Sequence, residues 1–468
     1  MRAALVALLL CVCGLGCRAY ASVGVVLNES LHESLDRITG TGHTAVYFSN
    51  ICPETPIKLR LCGPGEYGSV MSVYTNIGED QPFGWNIVPV SVYLYGVEDP
   101  AKRPIFGSYK VKRALEERYR EIYLSGLCST AACQTSTKAE WREMVAATLI
   151  RSVYIFAVDT TAEQDQQLIT EFNAAANKND FNGFKRNCAD FTRHVIDTYF
   201  PKAVRRDYIN DFGMTSPKAV ARTFTQYAEE HPESNFRVLH FAQVPGTIER
   251  SSEVRAGTEQ LYRSKKWLVP MTVLAYHELP FAAGSYLLIG RFNPEHTFEK
   301  NAVVAPGDEL ASLAAPHSVA TADEKRVYVG AAKDWKAYRQ AFETFLEENK
   351  SEIDHDEVKH VFKELDKHAT ASVDADGSVW MEVVENGEPL RVGVSANNVL
   401  ARGSNMHVAY RFLLARTQSE LKRPKHSRET MQDFKVDWAK LQRASAAMQN
   451  TMAANSAHVT VRIIEGKD

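Results

Sequence analysis

Residues 181–200, FNGFKRNCADFTRHVIDTYF, carry the side chain best placed for covalent chemistry, Cys188. The stretch opens on turn residues, Asn182 and Gly183, and passes Asn187. It then enters a helix whose apolar face is spaced by Phe191, Val195, Ile196 and Tyr199. Cys188 therefore falls at or just inside the helix N-terminus, with Asp190, Arg193 and His194 on the turns behind it. Backbone N–H groups there lack helical partners, and the positive end of the helix dipole favours an anion. A thiol in that place is expected to have a lowered pKa, and its thiolate is a nucleophile. The competing reading is a small buried cysteine that packs the start of a helix.

The compartment decides how that thiol is read. The chain begins MRAALVALLLCVCGLGCRAYA, with a basic residue at its start (Arg2), an apolar run over 3–15 and Ala19-Tyr20-Ala21 as an A-x-A cleavage pattern. This predicts a signal peptide over 1–21 and a mature chain from Ser22, exported to the periplasm or cell envelope. A lipoprotein anchored through Cys17 is the lesser alternative, because Gly14 stands where a lipobox has leucine. Cys11, Cys13 and Cys17 leave with the leader. In an oxidising compartment the close pairs Cys52/Cys62 and Cys128/Cys133 are each spaced for a short-loop disulfide, and Cys188 is left over. An odd thiol in an exported protein is a candidate for reactivity.

The elements that must position the thiol follow from periodicity. In TGTGHTAVYFSN (39–50), HTAVYFS reads as a strand with His43, Ala45 and Tyr47 on one face and Thr44, Val46 and Phe48 on the other. IKLRL (57–61), GSVMSVY (68–74) and NIVPVSVYLYGV (86–97) read as further strands of an antiparallel sheet, and a Cys52–Cys62 bridge would close the first hairpin. The period then changes: 110–124 reads as a charged amphipathic helix and 141–150 as another. Residues 152–160, SVYIFAVDT, read as a strand, and Thr160-x-x-Glu163 as a capping box opening a helix to about Ala176. Ser216-Pro217 supplies an N-cap and first residue for a helix through Tyr227. The fold class expected is α+β.

GHTAVYFS followed far downstream by RNCADF resembles, in that order, the circularly permuted branch of the NlpC-like papain superfamily, which includes the lecithin–retinol-acyltransferase-like enzymes. More narrowly, residues 40–235 look like a family of exported, largely uncharacterised bacterial proteins, matched through GHTAVYF, LRLCGPGEYG, FNGFKRNCADFTRHVIDTYFP and TSPKAVAR. The resemblance implies a permuted papain-like domain with Cys188 as nucleophile and His43 as general base. The Cys188 N–H and a neighbouring group would form the oxyanion site. In such permuted domains the residue that orients the histidine commonly stands on the strand after the histidine strand. Here that strand offers Lys58 and Arg60, which cannot accept a proton, so Glu66 in the adjoining PGEYG turn is the candidate. Asn187 either orients His43, binds the oxyanion or simply caps the helix. Asp190 reads as an ordinary first-turn acid and His194 as a surface or core residue.

With 468 residues, 45% hydrophobic and 24% charged, the chain suits two or three domains: 22–235 for the thiol domain, 236–300 as an apolar connecting segment and 301–468 as a mixed accessory region. Net charge of -3 gives no electrostatic footprint for nucleic acid. Residues 267–290, WLVPMTVLAYHELPFAAGSYLLIG, are long enough to span a bilayer, but His277, Glu278 and Pro280 interrupt them. A core hairpin or a peripheral membrane contact explains them better. DADG at 374–377 fails as an EF-hand loop, since Val383 would be its twelfth ligand, and reads as a hairpin turn, as does Asn386-Gly387. No spacing suggests a cofactor or a metal. Three functions remain open: a cysteine amidase or peptidase acting on envelope peptides, a lipid acyltransferase or hydrolase on the same fold, and an envelope binding module without catalysis.

Overall fold

The computed structural model describes residues 21–31, 42–73, 84–104, 107–127, 140–178, 181–182, 185–211, 213–244, 247–263, 278–301, 369–385 and 388–395. The leader through residue 20, Cys128/Cys133, Trp267 to His277, Asn386-Gly387 and, of the accessory region, 302–368 and 396–468 lie outside these residues.

Strand β1 (Ala21–Asn28, ASVGVVLN) is buried at every position. It pairs antiparallel with β2 (His43–Phe48) on one side and β7 (Val153–Thr160) on the other. Strands β3 (Ile51–Thr55) and β4 (Lys58–Leu61) form a separate hairpin, closed by the expected Cys52–Cys62 disulfide. The chain then returns as β5 (Ser69–Ser72), which pairs with β2, and β6 (Asn86–Pro89). With β8 (Arg237–Phe241) on the far edge, the sheet is six-stranded in the order β6-β5-β2-β1-β7-β8. The sheet thus runs past the boundary expected at 235, and Val244, Ile248, Val254 and Ala256 are also core residues.

Helices cover both faces. On one face Val26, Ala45, Tyr47, Val70, Val88 and Ile155 pack against α1 (Val90–Tyr95), α2 (Tyr109–Tyr119) and the turns around Trp141 to Leu149. On the other, Val25, Leu27, Val46, Phe48 and Met71 meet α3 (Ala162–Ala174), α4 (Cys188–Tyr199) and α5 (Pro217–Glu230). Helices α6 (Gly257–Arg263), α7 (Glu278–Ser285) and α8 (Pro294–Asn301) follow the sheet. A three-stranded sheet, β9 (Thr370–Val373), β10 (Val379–Glu385) and β11 (Glu388–Gly393), joins the first layer through Ala369, Val379 and Met381. Lys110 Nζ donates to Ala369 O at 2.7 Å. The mixed α+β class holds.

Several local expectations change. Residues 90–95 are β-branched and aromatic, yet they form a buried helix. Pro89 starts it, and Gly96, at φ +78°, ends it by donating to Val92 O. Residues 141–150 make short 3-10 turns instead of one helix, because Ala146 adopts φ +53° and donates its N–H to Val92 O. The capping box is one residue later than expected: Thr161 caps α3 and Gln164 reciprocates. In the DADG turn Gly377 stands at φ +90°, and Asp374 accepts from the Trp380 indole at 2.8 Å.

Candidate functional site

Helix α4 begins as its sequence dictates. Asn187 is extended (φ -92°, ψ -177°), and its Oδ1 accepts from the N–H groups of Ala189 and Asp190, both at 2.9 Å. Its Nδ2 donates to Thr215 O at 3.0 Å. The capping role is therefore what the geometry gives Asn187. Asp190 is more than a first-turn acid: it is buried, and its Oδ1 accepts from Arg206 at 2.7 Å and Thr215 at 2.6 Å. That carboxylate ties the start of α4 to the chain entering α5. His194 is exposed on the helix surface.

Half-buried Cys188 sits where α4 lies against β2. The N–H groups of Thr44, Ala189 and Cys188 itself face the sulfur and favour its thiolate. Burial outweighs them, with Asp190 adding to it, and the thiol is pushed up to about 11. The lowered pKa expected from the helix terminus is thus overturned by desolvation.

His43, the residue before Thr44, is buried at the first position of β2. Its Nε2 lies 2.7 Å from Ser72 Oγ. Loss of hydration pushes the imidazole down to about 3, with the Arg151 charge adding to the fall and Glu143 opposing it. At rest both the Cys188 thiol and the His43 imidazole are therefore neutral. Arg151 is 3% exposed at its side chain and donates to Glu143 at 2.5 Å. Across β1 from His43, Asn28 and the Tyr93 hydroxyl hydrogen-bond within 2.9 Å, and burial raises the phenol to about 12.

Glu66 is placed elsewhere. Its carboxylate takes two hydrogen bonds from Arg60, at 2.6 and 2.7 Å, and one from Gly63 N at 2.5 Å. This locks the turn after β4 and holds the acid well below its ordinary range, chiefly through Arg60. The expectation failed because β4 is not the neighbour of β2. The hydrogen-bonded neighbour is β5, and it supplies Ser72. Alternation in GSVMSVY groups Ser72 with Val70, on the Ala45 and Tyr47 face. Recognising β3–β4 as an excursion would have pointed to it. Arg151 and Glu143 gave no signal in sequence.

Among the described residues, the group with metal-ligand chemistry is Cys52, Cys62 and Glu66, but the two sulfurs are joined to each other and the acid to Arg60. No helix among the described residues is long and apolar enough to cross a membrane. Comparison of the chain with known protein families, with curated proteins and with solved structures finds no match.

Proposed function

We propose that this chain is an exported cysteine hydrolase of the circularly permuted papain-like kind, cleaving amide bonds through a thioester on Cys188. The observation that carries the reading is the Thr44 N–H turned to the Cys188 sulfur, which sets the thiol beside the strand that begins with His43. With Nε2–H donating to Ser72 Oγ, Nδ1 carries the lone pair that receives the thiol proton.

Because both groups rest neutral, the proton moves as the sulfur attacks. Cys188 Sγ bonds to the carbonyl carbon, His43 takes the proton, and the Cys188 N–H at the α4 terminus holds the oxyanion. Collapse expels the amine, which leaves with the proton from His43. Water, deprotonated by His43, then attacks the thioester and regenerates the thiol. The disulfide supports an oxidising compartment, and a cell-envelope peptide is the substrate class that location suggests.

One observation favours the lipid alternative. Phe281 and Leu287, on α7 and the turn after it, are 65% and 54% exposed, as a peripheral membrane contact would require. The test is hydrolysis of acyl amides and long-chain acyl esters by the mature chain, alongside Cys188→Ala and His43→Ala. Amide cleavage lost in both variants supports the reading, and ester cleavage alone favours the lipid enzyme. Inactivity on every acyl substrate leaves a binding module.

A further inference from the structure

A row of buried polar side chains crosses one end of the sheet on the face of α1 and α2. Asn28, His43, Ser72 and Asn86 stand on the adjacent strands β1, β2, β5 and β6, with Asn28 paired to His43 and Ser72 to Asn86. Alternation sets them with Val26, Ala45, Val70 and Val88, which pack in one apolar layer. Two links of the row are closed: Asn28 Nδ2 donates to the Tyr93 hydroxyl at 2.7 Å, and His43 Nε2 lies 2.7 Å from Ser72 Oγ. The end of the row is open. Among the described residues neither Oδ1 nor Nδ2 of Asn86 has a hydrogen-bond partner, although Asn86 is 0% exposed. The hydroxyl of Tyr119, at the end of α2 and in the same layer, has none either and is 1% exposed.

Burying an amide with both atoms unbonded is costly, and folded proteins meet such groups with an enclosed water that has two to four polar partners. Ser72 has the matching need: with Oγ accepting from Nε2–H, its own hydroxyl hydrogen requires an acceptor. Residues paired across antiparallel strands hold their Cβ atoms roughly 4.5–5.5 Å apart, a span that one water bridges. We propose that Asn86 and Tyr119 hold one enclosed water against Ser72, which makes Asn86 a positioning residue for His43. The water accepts from the Ser72 and Tyr119 hydroxyls and donates to Asn86 Oδ1. This deepens the hydrolase reading and rests on it. A Ser72 hydroxyl turned to the water presents its lone pair to Nε2–H, so Nδ1 stays free to take the thiol proton. Without the water the hydroxyl turns to Nε2, the ring hydrogen moves to Nδ1, and the base is closed.

The remaining atoms agree with this arrangement. Burial pushes the Tyr119 phenol well above its ordinary range and the Asn86 side chain opposes the rise, so Nδ2 is the end of the amide that faces the Tyr119 oxygen. That leaves Oδ1 for the water. Neighbouring polar groups are committed elsewhere: Asn28 and Tyr93 bond to each other in both directions, and Thr44 Oγ1 donates to Val26 O at 2.8 Å. Asn86 is thus the residue beside Ser72 with bonding capacity to spare.

The experiment reads the tautomer of the His43 ring by heteronuclear NMR in the full mature chain, together with acylation of Cys188 by an activated acyl ester. Wild type should rest with the hydrogen on Nε2 and show an Overhauser contact from the Asn86 side-chain amide to a long-lived water. Asn86→Leu, close in volume, should move the hydrogen to Nδ1 and slow acylation about tenfold. Asn86→Asp, which keeps an acceptor in place, should rest with the wild-type tautomer. Tyr119→Phe removes a single oxygen, so it serves even if Asn86→Leu does not fold. It should lose the water contact and slow acylation roughly threefold. A wild type that rests with the hydrogen on Nδ1, or Asn86→Leu and Tyr119→Phe variants that fold and keep the wild-type tautomer, water contact and rate, would overturn the assignment. If Asn86→Leu moves the hydrogen but wild type turns over no acyl substrate, the water and its holders stand and the hydrolase reading falls.

Discussion

The backbone N–H of Thr44 faces the sulfur of Cys188, joining the start of the histidine strand to the start of the cysteine helix. The two segments are far apart in sequence, and the central sheet brings them together. The link makes the thiol sensitive to anything that moves β2.

Ser72 is the first place to perturb it. Ser72→Ala removes the partner 2.7 Å from His43 Nε2 and frees the ring to change tautomer. Loss of a buried hydrogen bond should cost about 1–2 kcal/mol of stability. Acylation at Cys188 should fall roughly tenfold or more, in line with a positioning role. Ser72→Thr, which keeps the hydroxyl, should recover part of the rate. Denaturant melts and acylation rates on the same samples check both.

Stability should depend on pH at both ends. The folded imidazole lies at about 3 against an ordinary 6.5, so the unfolded chain binds its proton first. The contribution of His43 is full above 6.5 and is lost as pH falls from there towards 3, on the order of a few kcal/mol. The Cys188 thiol is displaced the other way, to about 11 from 9.0. Its contribution is full below 9.0 and is lost as pH rises towards 11, on the order of 2 kcal/mol. Urea titrations should show the acid slope weakened in His43→Leu and the alkaline slope weakened in Cys188→Ala.

Asp190 anchors the start of α4. Asp190→Ala would leave Arg206 without its partner at 2.7 Å and Thr215 without its acceptor at 2.6 Å. Breaking such a pair is expected to cost roughly 3 kcal/mol. Thermal melts should show the loss, and alkylation of Cys188 should quicken as the start of α4 loosens.

Reducing the Cys52–Cys62 bridge reopens a loop with a sequence separation of 10. The expected loss is about 2–3 kcal/mol from the freed chain entropy. The β3–β4 hairpin is separate from the main sheet, so proteolytic nicking should begin there before the core opens. Limited proteolysis with and without reductant reads this directly.

The local elements of the site were legible in sequence, and their long-range pairing was not. Period two marked His43–Phe48 with the correct face for each side chain, and turn residues with an Asn cap marked α4. Strand β1 escaped notice because its apolar residues continue the leader's composition. Residues 90–95 have strand-forming side chains, but Pro89 and Gly96 bound a turn of helix whose burial outweighs propensity. The partner of His43 was sought on the next strand in sequence, whereas a hairpin intervenes and β5 is the next strand in space. The thiol was expected to acidify because a helix terminus is visible in sequence. Desolvation depends on what the whole fold packs around the sulfur.

The most direct measurement is intact-mass analysis of the mature chain mixed with a short activated acyl amide or ester and quenched in acid. The account predicts one acyl mass on wild type, mapped to Cys188 and decaying with time as water releases it. It predicts none on Cys188→Ala, and formation at least about a hundredfold slower in His43→Ala, the scale of a lost general base. An adduct that forms equally fast without His43, or no adduct at Cys188 at all, would contradict the account.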